Sequence, residues 1–263
     1  MLHIDLADQH HHGSSLIHRL DPRVKVIGTL LFILAASLAP AGAWLGYALL
    51  FAGTLVVAHL TGLGTGFALR RSYVALPFAL AAIALPFTVA GTALAQVGPW
   101  SISVEGTVRL LSILVKSWLS VQAAILMTNT TAFPDLMWGL RALRVPAALV
   151  AIVGFMYRYL FVLADEGLRL RRARAARSGA GPAGAKTGGG LMWRGQVAGG
   201  MVGNLTLRAF ERSERIHAAM VARGYQGEMH MLDTPHMHDQ DWNALVGWVT
   251  FLTLAALVGF IFG

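Results

Sequence analysis

Between residues 26 and 58 the chain carries no Asp, Glu, Lys or Arg, an uncharged run of 33 residues. An α-helix rises ~1.5 Å per residue, so a single helix over that run would be ~50 Å long. The hydrocarbon core of a bilayer is only ~30 Å thick. The run must therefore turn back on itself and cross twice. Pro40 and Gly42 stand where that break is needed, which predicts helices near residues 24–39 and 42–60. A second uncharged run of 33 residues covers positions 72–104. It predicts a third crossing near 72–91, with Pro77 and Pro86 as kinks, and an external loop over 92–104 around Gly98-Pro99-Trp100. Glu105 opens a fourth helix that reaches about Met127 and carries Arg109 and Lys116. Charges at that depth are expensive and face protein or water. A last uncharged helix spans residues 244–262.

Composition agrees with a lipid solvent. The chain is 56% hydrophobic and 13% charged, whereas soluble domains carry about 25% charged residues. There is no cysteine, which excludes disulfides, thiolate metal sites and cysteine nucleophiles. The net charge of +8 is concentrated locally: residues 141–223 hold 14 Lys/Arg against 4 Asp/Glu, or +10. Such a stretch suits a cytoplasmic face near anionic lipid, or docking onto an acidic partner. Residues 1–22 are polar and rich in histidine, unlike the basic start of a cleaved signal peptide. The first apolar run therefore reads as a retained anchor.

Residues 147–164 are apolar enough to cross on hydropathy alone. Topology argues otherwise. Arg70-Arg71, Arg141 with Arg144, and the run Arg169, Arg171, Arg172, Arg174 and Arg177 belong on one side under the positive-inside rule. A crossing at 147–164 would place the arginine run outside, and Arg158 lies within the segment. The segment is therefore expected to lie in the interface or pack beneath the bundle. The expected fold class is all-α: a polytopic membrane helix bundle of about five transmembrane helices, with long cytoplasmic amphipathic helices, which the family resemblance set out below implies are coupling helices. The expected division is a polar N-terminal segment (1–23), four crossings (24–128), a cytoplasmic or interfacial coupling domain (129–225) with a flexible Gly/Ala-rich linker (179–190), a loop (226–243), and the last crossing (244–263).

Residues 195–224 read as one long helix, with Val197, Met201, Leu205, Ala209, Ile216 and Met220 forming one apolar face with a single gap. Arg208, Arg212 and Arg215 decorate the rest, and Gly224 is a natural stop. Taken alone, such a helix can simply cap the bundle. Two basic helices end alike, in Ala176-Arg177-Ser178 and Ala222-Arg223-Gly224. A small residue before the arginine leaves its guanidinium uncrowded beyond the helix end, and its fork of donors suits carboxylates and carbonyls in a partner's groove. The plainer alternative is that each arginine only complements the helix dipole.

Other chemistry is sparse. His3, His10, His11 and His12 are weak candidate metal ligands, since imidazole binds nickel, cobalt, zinc and copper; a solvated tail is the preferred reading of His10–His12. His236 and His238 beside Asp233, Asp239 and Asp241 form a second loose cluster. Lys186-Thr187 follows glycines, but Ala185 intervenes and the flanks are helical, so it is not a phosphate loop. No Ser-His-Asp order, HExxH or paired-carboxylate arrangement is visible, and Asp165-Glu166 reads as neutralising nearby arginines. A membrane enzyme is thereby disfavoured; five crossings with few buried polar groups leave little room for a self-contained permease, and the many crossings argue against an arginine-rich nucleic-acid or lipid regulator.

Several landmarks together resemble a known family. Leu20-Asp21-Pro22-Arg23-Val24-Lys25, Thr130-Thr131 with Pro134, Leu143-Arg144-Val145-Pro146, Tyr157-Arg158-Tyr159, Asp165-Glu166 and the two Ala-Arg-small segments are similar in order and spacing to the transmembrane T component of energy-coupling factor (ECF) transporters. The nearest branch is the CbiQ-like subunit of cobalt and nickel uptake systems. The resemblance implies a non-catalytic subunit of an ECF-type ABC importer. It would join two cytoplasmic ATP-binding-cassette ATPases to a substrate-binding membrane S component (CbiM-like) for cobalt or nickel uptake. Ala176, Arg177, Ser178, Ala222, Arg223 and Gly224 would be the ATPase-coupling residues. ATP and magnesium would be held by the partner subunits, with no cofactor in this chain. A T component for another micronutrient or vitamin is the nearest alternative.

Overall fold

The computed structural model describes residues 15–62, 66, 82–97, 100–177, 190–227 and 237–262. The described residues are helical apart from one hairpin. They fall into two compact units: one of the described residues within 15–143 and 237–262, the other of those within 144–227.

The first unit is the apolar bundle. It begins with a single turn, α1 (Leu16–Arg19). Helix α2 (Pro22–Leu38) starts where Pro22 presets the backbone and the Asp21 Oδ1 accepts the Arg23 N–H at 2.8 Å. It stops at Ala39, before Pro40, and the chain reverses through Gly42 at φ 92°. Helix α3 (Trp44–Leu60) then runs to Thr61. The expected break at Pro40 and Gly42 is therefore where the two helices part. Of the expected third crossing at 72–91, residues 72–81 and Pro77 lie outside the described residues. Pro86 opens a one-turn helix, α4 (Leu85–Thr88). The segment expected to be an external loop is a two-stranded antiparallel hairpin, β1 (Ala93–Val97) with β2 (Trp100–Ser103), registered with Val97 opposite Trp100. Backbone pairing across the turn was invisible in a run without clear period-two alternation.

Helix α5 (Val104–Thr130) is capped by Ser103, whose Oγ accepts the Gly106 N–H at 3.1 Å. A short amphipathic helix, α6 (Phe133–Ala142), follows. The last helix, α9 (Asp239–Phe262), returns to the bundle. Phe32, Ala36, Tyr47, Leu50, Leu119 and Leu252 are among the buried residues where α2, α3, α5 and α9 meet. The outward sides are equally apolar, with Leu30, Leu34 and Leu38 on α2 and Leu254, Leu257 and Phe260 on α9 exposed. In water that exposure would be untenable; in a bilayer it is the solvated surface. Small residues let α3 and α9 approach closely, and a Cβ built on Gly46 would lie 2.9 Å from the Gly259 Cα.

The second unit is an antiparallel helix pair, α7 (Ala147–Arg177) and α8 (Leu191–Ala222). At ~1.5 Å per residue each is ~46–48 Å long. The stripe expected on α8 is the one that packs: Val197, Met201, Leu205, Ala209, Ile216 and Met220 are all half-buried. Three described helices are long and apolar enough to cross a membrane, namely α5, α7 and α9, and α3 is a shorter apolar helix. The chain is a multi-pass membrane protein.

Candidate functional site

Chain, cap and charge coincide at the second of the two Ala-Arg-small segments. Helix α8 ends at Ala222, and Arg223 is its C-cap residue. Gly224 follows at φ 85°, a left-handed conformation that glycine adopts without steric cost. The Gly224 N–H donates to the Val221 carbonyl at 2.9 Å and the Tyr225 N–H to the Met220 carbonyl at 3.0 Å. This pair of bonds is a Schellman motif. The glycine after the arginine thus has a mechanical reason: it ends the helix at once and leaves Arg223 exposed at the tip. No heavy atom comes within 4 Å of a Cβ built on Gly224, so the tip is open.

At the end of α7, Ala176 and Arg177 are both exposed. Ser178 lies outside the described residues, as do the linker at 179–189, Lys186-Thr187, His236 and Asp233. One turn before Arg177, the Arg174 guanidinium lies 5.6 Å from the ring centroid of Trp193, in the first turn of α8. Arg169, Arg171 and Arg172 are exposed.

Glu166 holds the pair together. Its two oxygens accept from Arg208 at 3.1 Å and from Arg212 at 3.0 Å, and its side chain is 11% exposed. It stands beyond the apolar stretch of α7, in the charged half of the helix. The hydrogen bond from Arg208, reinforced by the charge of both guanidiniums, holds its carboxyl below the usual carboxylate range. The expectation that Asp165 and Glu166 neutralise nearby arginines is thus met by Glu166, but across the pair rather than along its own helix. Asp165 is exposed. The gap in the α8 stripe falls at Arg212, which turns inward to reach Glu166. An arginine inside an apolar periodicity, with a carboxylate on the preceding helix, was the readable sign of this pairing.

The remaining candidates separate. Among the described residues no group of three or more His, Cys, Asp or Glu is placed to hold a metal ion. His3, His10, His11 and His12 lie outside the described residues. His238 and Asp241 are 4.0 Å apart at the start of α9. Arg109 is exposed near the first turns of α5. Lys116 is engaged: its ammonium donates to the Ser37 carbonyl at 3.2 Å and to that of Ala39. These are carbonyls at the end of α2, which have no partner within their own helix. A cavity of about 280 Å³ lies between α2, α3, α5 and α9. Its walls are mostly apolar, with Lys25, Thr29, Thr54 and Thr130 among the few polar members.

A family model described as CbiQ, cobalt transport protein, matches residues 13–232. The chain belongs to that family. The match runs from before α1 to past the Schellman end of α8, so it takes in the bundle's first helices and both arginine tips. Curated relatives agree. A cobalt transport protein CbiQ of Rhodobacter capsulatus is 31% identical over 56% of this chain and 58% of its own length. The energy-coupling factor transporter transmembrane protein EcfT of Lacticaseibacillus paracasei is 28% identical over 94% of this chain and 95% of its own. That of Brevibacillus brevis is 29% identical over 82% of each. The resemblance read from the motifs is therefore a family relationship, and the family is one of transporter membrane components.

Proposed function

We propose that this chain is the T component of an ECF-type ABC importer, coupling two cytoplasmic ATPases to a substrate-binding membrane subunit for uptake of cobalt, with nickel next. One observation carries the reading. The end of α8 is built by a Schellman cap that presents Arg223 after alanine, and the described part of α7 runs to an exposed Arg177, also after alanine. A pair of exposed guanidiniums on stiff helices is suited to grooves lined with carboxylates and carbonyls on two similar partners. No phosphate loop is present in the sequence, so the ATP would be bound and hydrolysed by the partner subunits. Closure of an ATPase dimer would then displace the helix ends, and α7 and α8 would carry that displacement to the membrane. The α7–α8 unit faces the cytoplasm in this reading. Cobalt as substrate is supported by the family description and by the Rhodobacter relative's name. The near full-length similarity to EcfT proteins supports the T-component role for whichever micronutrient is carried.

The test is affinity purification of the tagged chain from native membranes, with Arg177→Ala, Arg223→Ala and the double variant alongside. The wild-type chain is expected to bring down ATPase and a second membrane protein. Each single variant is expected to weaken ATPase retention, and the double variant to abolish it or to uncouple hydrolysis from uptake. Wild-type assembly and transport in the double variant would reject the coupling role.

A further inference from the structure

One end of the bundle is closed by two charged side chains that each satisfy two helix ends. The Asp241 carboxylate accepts the Asp21 backbone N–H on Oδ1 and the His238 N–H on Oδ2, each at 2.9 Å. Asp21 is the N-cap residue of α2, and His238 directly precedes α9. One buried carboxylate thus serves two helix N-termini, at the positive ends of two helix dipoles. Lys25 does the converse. Its ammonium donates to the His18 carbonyl at 3.1 Å and the Thr130 carbonyl at 3.0 Å. Those carbonyls belong to the last turns of α1 and α5. The Asp21 side chain is itself 1% exposed and caps α2 through the Arg23 N–H. Helix α6 packs against the same spot, with the Arg23 guanidinium 4.2 Å from the Trp138 ring centroid and the Pro22 Cβ 3.3 Å from a Cβ built on Gly139.

Both covalent connections to the α7–α8 unit leave from elements fastened here. The chain passes out of the bundle between Leu143 and Arg144, directly after α6, and α9, which begins at Asp239, belongs to the bundle again. Helix ends are the softest part of a helix, because their backbone groups lack internal partners. A push arriving along α6 or α9 would be absorbed by fraying unless those ends were held.

We propose that Asp241 and Lys25 are positioning residues for transport: they join α2, α5 and α9 into one stiff footing that passes displacement from the α7–α8 unit into the bundle. The inference rests on the coupling role set out above. It assigns a function to the Asp21–Lys25 segment and to a carboxylate 220 positions away from it.

Asp241→Asn keeps the shape but leaves one of the two N–H groups facing an amide nitrogen. Lys25→Met removes the ammonium from both carbonyls. Lys25→Arg retains the charge, and Asp239→Asn alters an exposed carboxylate in the same helical turn. Each would be co-reconstituted with the ATPases and the substrate-binding subunit, and radiolabelled cobalt uptake and phosphate release measured in the same vesicles. Asp241→Asn and Lys25→Met should co-purify with their partners and hydrolyse ATP, while cobalt carried per ATP falls about tenfold. Lys25→Arg should recover most of the ratio and Asp239→Asn should leave it unchanged. An unchanged ratio in the first two variants overturns the proposal. So does failure of both to assemble, since a purely structural role then suffices. A wild-type complex that retains no ATPase or carries no cobalt refutes the earlier reading instead, and is seen before any variant is compared.

Discussion

Replacing Gly46 with alanine should separate α3 from α9, and the size of the effect follows from the geometry. A Cβ at position 46 would lie 2.9 Å from the Gly259 Cα, 0.5 Å short of the 3.4 Å at which ordinary contact begins. The obstacle is backbone on the facing helix, so no rotamer change relieves it. Overpacking of this kind costs about 1–3 kcal/mol. In lipid, close packing itself drives helix association, so the loss is not offset by hydrophobic burial. Alanine also has the higher helix propensity, by about 1 kcal/mol. That gain cancels when the comparison is with Gly247→Ala on α9, where a Cβ meets nothing within 4 Å. Gly46→Ala should therefore be less stable than Gly247→Ala by about 1–3 kcal/mol, or roughly 5–150-fold in the unfolding equilibrium. Gly53→Ala sharpens the test. Its Cβ would come closer, 2.7 Å from the Phe251 Cε1, but that atom belongs to a ring that can swing. The expected order of damage is Gly46, then Gly53, then Gly247, which is not the order of the distances. Equilibrium unfolding in mixed micelles, followed by tryptophan emission, would measure it. A Gly46→Ala variant as stable as Gly247→Ala, or a costlier Gly53→Ala, would refute the argument.

Three further outcomes are expected. Because the Glu166 carboxyl is held below its ordinary value by Arg208 and Arg212, its stabilisation of the α7–α8 pair is complete above the unfolded-state carboxylate pKa of ~4.3 and is lost only as pH falls through the lower folded value; hydrogen exchange in α8 should stay slow on mild acidification in the wild type, while Glu166→Gln should exchange fast at every pH. Gly224→Ala places a side chain at φ 85° and should cost about 1–2 kcal/mol, read as faster exchange in the last turn of α8; unchanged exchange there would contradict the Schellman assignment. Arg144 adopts φ 66° directly after the α6 C-cap, so Arg144→Gly should raise stability by about 0.5–1 kcal/mol in thermal unfolding, once the entropy of the added glycine is subtracted.

The parts of this protein that were legible in its sequence are those governed by neighbours along the chain. An uncharged run too long for one crossing, broken by Pro40 and Gly42, placed α2 and α3. The three-to-four spacing of Val197 to Met220 marked the packed face of α8, and Ala222-Arg223-Gly224 marked an arginine tip with a built-in stop. Helical period, backbone freedom and capping act within a few residues, so spacing is enough to read them. What only the tertiary structure decided is which distant groups meet. Asp241 had no local reason to serve Asp21, and Lys116 none to reach Ser37. Gly46 and Gly259 are ordinary glycines in apolar runs until two helices cross there. Partner choice across tens or hundreds of residues is set by which faces pack and which buried charges must then be satisfied, and a linear pattern does not carry that information.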